Sequence, residues 1–138
     1  MTDFHHQKAS DADAYNLRAT PRSTRVSADF LLGEFACNDG SEALLLHPRL
    51  VELCQRIRGQ FGPVSVTSGY RSGSWNERIG GGSRSKHLLG SAADLDAHHA
   101  TPTEVADFAA GLDVGGLGRY NTFTHVDIIG QGRRWDCR

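Results

Sequence analysis

The chain is 138 residues long and carries 15 lysines and arginines against 16 aspartates and glutamates, a formal net charge of −1. That length suits one domain able to bury a core without cross-links, and the balanced charge excludes a protein that holds nucleic acid by its field. No apolar run reaches the ~18 residues of a membrane span, and the three cysteines, Cys37, Cys54 and Cys137, are too few and scattered for a disulfide framework.

Residues 1–25 are polar and weakly periodic, and read as a flexible or loosely docked N-terminal extension without an apolar signal core. The folded domain is expected over 26–138. From Pro48 to Phe61, Leu50, Cys54, Ile57 and Phe61 recur at helical spacing, and Gly62-Pro63 ends the pattern. Val64–Ser68 alternates as a short strand. Gly69 to Gly82 reads as glycine-rich loop, and residues 92–96 alternate again, with Ala93 and Leu95 on one face and Asp94 and Asp96 on the other. Thr101-Pro102-Thr103-Glu104 is a capping box opening a second helix, followed by Val105, Phe108, Ala109 and Leu112. After Gly115-Gly116, residues 123–129 read as a strand showing Phe123, His125, Asp127 and Ile129 on one face. This order implies an α+β domain with a small, largely antiparallel sheet and flanking helices.

Asp94 and His125 both point away from the core faces of their strands, and His87 lies just before the first strand. If the strands are neighbours, two imidazoles and a carboxylate converge, a donor set that suits zinc and leaves a fourth position for water. On spacing alone, a surface histidine with an aspartate capping a turn explains His87 and Asp94 as well.

Four segments carry a resemblance in order. Ser85-x-His87-x-x-Gly90-x-Ala92-x-Asp94 resembles the signature of the zinc D-Ala-D-Ala carboxypeptidase-like peptidoglycan peptidases, whose metal core the hedgehog domain shares. Ser68-Gly69-Tyr70-Arg71, followed by Asn76 and Gly81-Gly82, is similar to another segment of that family. So are Gly116–Tyr120 with Phe123–Asp127, and the entry segment Gly33–Cys37, while Trp135 falls where the smaller members end. The likeness covers roughly residues 27–136.

The resemblance implies one Zn2+ per chain, held by His87, Asp94 and His125. It implies that Arg71 holds a substrate carbonyl or carboxylate and stabilises the oxyanion, a task suited to a planar, always-charged guanidinium. Ser85 and Tyr70 become candidate substrate contacts, with a turn-forming role for Ser85 equally open. Larger members place an acid three residues before the last histidine; here that position is Thr122. Asp127 is then the candidate base, or else the partner that orients a ligand. His98, His99 and Asp96 have no assigned part.

The function implied is zinc-dependent hydrolysis of amide bonds in the peptide part of bacterial peptidoglycan, as a carboxypeptidase or an endopeptidase. The alternative is a non-catalytic zinc-bearing domain that binds cell wall or protein. Expected partners are peptidoglycan stem peptides, with no nucleic acid and no membrane span, and the chain is expected to be a monomer. It would act at the cell wall or periplasm, delivered by a phage or exported.

Overall fold

A computed structural model describes residues 11–112 and 114–138 of the chain. In chain order the elements are β1 (Asp13–Asn16), β2 (Ala43–Leu46), α1 (Pro48–Phe61), β3 (Val64–Ser68), α2 (Gly73–Arg78), β4 (Ala92–Ala97), α3 (Pro102–Ala110), β5 (Gly116–Arg119), β6 (Thr124–Asp127) and β7 (Arg133–Asp136). Single 3-10 turns at Leu32–Phe35 and Lys86–Leu89 complete the list. The architecture is α+β, as the order of elements implied.

Five strands form the main sheet in the order β3-β4-β6-β5-β7, all antiparallel except the β5–β7 pair. Helices α1 and α3 cover one face. Each starts as its sequence dictates: Pro48 and Pro102 fill first-turn positions whose N–H groups need no partner. The His47 ring caps α1 through Arg49 N, and Thr101 and Glu104 form the expected capping box. The apolar faces of both helices meet alternate residues of the central strands. Leu50, Leu53, Cys54 and Ile57 from α1 and Val105 and Ala109 from α3 are buried with Ala93, Leu95, Leu117 and Val126. Side chains one position along β4 and β6, Asp94, His125 and Asp127, therefore face the side of the sheet opposite α1 and α3.

Several expectations shift. The glycine-rich stretch after β3 contains the short helix α2, capped by the Ser72 hydroxyl on Trp75 N at 3.2 Å. Of the expected strand over 123–129, the regular part is Thr124–Asp127, with a bridge at Ile129 beyond it. Within the N-terminal extension, Asp13–Asn16 pairs with β2, and Leu32 N donates to Thr24 O at 2.7 Å. Residues 1–10 of that extension lie outside the described residues. All three cysteines are free thiols, Cys37 and Cys54 buried and Cys137 exposed.

One turn ties the helical layer to the polar face. Gly90 closes the Lys86–Leu89 turn at φ 67°, the left-handed region, and its carbonyl accepts from His47 N at 2.9 Å. A side chain there would run into the Leu45 carbonyl. Gly90→Ala is therefore expected to lower stability by at least about 2 kcal/mol in urea unfolding, since strain and clash add.

Candidate metal centre and its cleft

The face of the sheet opposite α1 and α3 holds a buried polar cluster. β4 and β6 are neighbours in a register that sets Asp94 opposite His125. His87 arrives from the 3-10 turn that precedes β4. One ligand atom from each of His87, Asp94 and His125 lies within 4.8 Å of the others, and all three residues are buried. Asp94 Oδ1 sits 3.3 Å from His87 Nε2 and 3.1 Å from His125 Nδ1.

The two separations from Asp94 match the spacing around an ion. A tetrahedral centre with ligand bonds of ~2.0–2.1 Å spaces its ligand atoms about 3.3 Å apart. The remaining ring nitrogens fix the tautomers. His87 Nδ1 donates to the Gly69 carbonyl at 2.7 Å, which leaves Nε2 as the free lone pair. His125 Nε2 donates to Asp127 Oδ2 at 2.9 Å, so Nδ1 is the nitrogen turned towards Asp94. Both histidines are thus oriented from behind, with their lone pairs aimed at one point.

When no ion lies between them, the two imidazoles bond Asp94 directly: burial by itself raises its carboxyl, but the hydrogen bonds with His125 and His87 outweigh it and hold the group well below the usual carboxylate range. For His125, burial favours the neutral ring, yet Asp127 and Asp94 lift its pKa above the ordinary value. Asp127 follows Asp94: burial opposes ionisation, while His125 and Arg133 favour it and prevail.

Arg71 leaves β3 through a bulge between Val66 and Ser68 that sets Ser68 opposite Asp94. Its Nη2 lies 3.4 Å from Asp94 Oδ2, so the carboxylate gives one oxygen to the histidines and turns the other to the guanidinium. Ser68 Oγ and Asn76 Oδ1 accept from Arg71 Nε and Nη1 at 3.1 and 3.3 Å. Ser85 Oγ accepts from His87 N at 3.2 Å, bracing the ligand turn, and the residue also lines the cleft. Tyr70 is partly buried against the core and is not among the cleft-lining residues. His98 bonds Ser65 Oγ at 2.6 Å on the β3 edge, and neither it, His99 nor Asp96 lines the cleft.

Asp127 has no exposed side-chain surface. Oδ2 takes His125, and Oδ1 accepts from Ile129 N at 3.1 Å and from the Arg133 guanidinium. Sequence reading passed over Arg133, although it shares a strand face with Trp135 by simple alternation. Two glycines of β5 make room here. Gly116 lies opposite Asp127 and Gly118 opposite His125. A side chain at Gly116 would strike the Asp127 carboxylate, and one at Gly118 the Trp135 ring. Trp135 accordingly packs on His125 at 5.0 Å between centroids and donates from Nε1 to Tyr120 Oη at 2.8 Å. A cleft of about 520 Å³ opens over the triad, walled by Tyr120, Phe123 and Trp135.

Comparisons with known proteins give the family. Residues 27–127 match the peptidase M15 family. The zinc D-Ala-D-Ala carboxypeptidase of Streptomyces albus G is 37% identical over 80 residues, covering 54% of this chain and 31% of the relative. The peptidoglycan L,D-endopeptidase MepK of Escherichia coli K12 is 31% identical over 100 residues, covering 65% of this chain and 54% of the relative. The protein of that name from Shigella flexneri gives the same figures. The chain thus spans about half, or less, of the length of the curated relatives it matches.

If Asp127 orients His125, Asp127→Asn should weaken zinc affinity about 10–100-fold in competition with a chromophoric chelator. Unchanged affinity with lost turnover would instead assign Asp127 to proton transfer.

Proposed function

The chain belongs to the peptidase M15 family, and from that premise we propose that it is a zinc metallopeptidase cutting amide bonds in the peptide part of bacterial peptidoglycan. The observation that carries the reading is the convergence of His87 Nε2, Asp94 Oδ1 and His125 Nδ1, each aimed by a partner on its far side. His87, Asp94 and His125 would hold the ion. Zinc there supplies a Lewis acid for the scissile carbonyl and lowers the pKa of a water ligand towards neutrality.

The chain's own residues supply the rest. Arg71, anchored by Ser68 and Asn76, sets a permanent positive charge beside the metal position, where it meets the charge that develops on the carbonyl oxygen. Asp127 is a positioning residue that fixes the His125 tautomer, in preference to the base expected from its place on the strand. Tyr120 and Trp135 form an apolar wall against which a peptide lies. The relatives' names give D-Ala-D-Ala and peptidoglycan as what those proteins act on; for this chain we infer stem peptides as substrate, the cell wall or periplasm as the place of action, and a monomer.

One observation favours a second reading, a non-catalytic zinc-bearing domain that binds wall or protein. Among the described residues lining the cleft, the carboxylates are Asp94 and Asp127, and both are engaged. The experiment that separates the two is metal analysis coupled to amine release from purified peptidoglycan. The peptidase reading expects one zinc per chain and release that stops on chelation and returns with zinc. One zinc with no release from several wall types would favour the binding domain. In an active enzyme, Arg71→Lys should lower turnover by on the order of 10²–10³ while zinc is retained, because an ammonium lacks the planar fork.

A further inference from the structure

The cleft carries more positive charge than the metal site uses. Four cationic side chains line it, Arg71, Arg84, Lys86 and Arg133, against the two carboxylates of Asp94 and Asp127. Both carboxylates are already matched, Asp94 by Arg71 and the two histidines, Asp127 by His125 and Arg133. Arg84 and Lys86 are left over. Among the described residues, neither side chain forms an ion pair or hydrogen bond. A chain with a formal net charge of −1 has thus gathered uncompensated cations beside the one cleft that holds the triad.

Their backbone is held in place. Ser85 N donates to Gly82 O at 3.0 Å, closing the turn that bears Arg84, and Asn76 Nδ2 donates to the same carbonyl at 3.0 Å. Asn76 also holds Arg71, so one buried amide ties the cationic turn to the guanidinium beside Asp94. Lys86 opens the 3-10 turn that delivers His87. An anion held by these side chains would therefore sit in the same cleft as the triad.

We propose that Arg84 and Lys86 form a subsite for a substrate carboxylate that is not part of the amide being cut, so that the chain acts on acidic peptides. This rests on the peptidase reading and names its substrate class. A guanidinium offers a carboxylate two parallel N–H groups, and an ammonium adds a point charge from the side. Both side chains remain partly in solvent, so the pair gives selectivity of about tenfold, screened by salt.

The test uses zinc-loaded protein and two synthetic peptides of one sequence ending in D-alanine. One has its internal carboxylate free, and the other has it as the primary amide. Calorimetric titration, with peptide integrity checked by mass spectrometry, should show the free acid binding about tenfold tighter at low salt, with the advantage shrinking at high salt. In the Arg84→Gln/Lys86→Gln double variant, with zinc content verified, the advantage should fall to about twofold or less. Arg56→Gln, an exposed cation of α1 away from the cleft, should leave it intact. Equal binding of the two peptides by the unmodified protein, or a preference that survives the double variant, overturns the proposal. Failure of the peptidase reading looks different: neither peptide releases an amine, while the binding preference still reports on the subsite.

Discussion

The Asp94 carboxylate is the group around which the polar face of the sheet is organised. Removing a carboxylate from water costs several kcal/mol unless its oxygens are matched. Here one oxygen faces His87 and His125, and the other faces Arg71. Each partner must come from a different part of the chain: the turn before β4, strand β6 and the segment after β3. The observed strand order meets that need: β4 lies between β3 and β6, which brings Ser68 and His125 opposite Asp94 on either side.

A second requirement follows from the first. Histidines that serve one carboxylate must be prevented from rotating, and the structure does this from the rear. Gly69 presents its carbonyl to His87 only because the residue has no side chain; a Cβ there would meet the Phe35 backbone. Gly116 and Gly118 likewise leave β5 bare on the side where Asp127 and Trp135 lie. Strand glycines weaken a sheet when nothing uses the space. Here that space is taken by the side chains that orient His125.

What the sequence made legible was what repeats locally. Leu50, Cys54 and Ile57 mark α1 without help, and the capping box marks α3. Alternation in β4 and β6 was enough to send Asp94 and His125 to the face opposite Ala93, Leu95 and Val126. What stayed hidden depends on partners distant in the chain. β1 and β2 are four residues each, and Leu44-Leu45-Leu46 has no alternation to read. β7 reads Arg133-Arg134-Trp135-Asp136, polar enough to pass for a tail, and becomes a strand through parallel pairing with β5. The Arg133–Asp127 pair was hidden for the same reason, because its register is set by β5 lying between the two strands. Asn76 looked like a loop residue until α2 brought it under Arg71.

The part played by Asp127 turns on magnitudes. A well-placed general base contributes about 10²–10⁴ in rate, or roughly 3–5 kcal/mol of barrier. To take up a proton from the cleft, Asp127 would have to release His125 or Arg133. Breaking a buried ion pair by removing one partner costs about 3–5 kcal/mol. The gain and the loss are of the same size, so proton transfer through Asp127 brings little net acceleration in this geometry. Holding His125 in one tautomer asks for no such rupture and uses every contact Asp127 makes. It also lets the cation of Arg133 stay where the buried carboxylate needs it. On the proposed reading, the burial that weighs against Asp127 as a base is what suits it to support His125 from behind.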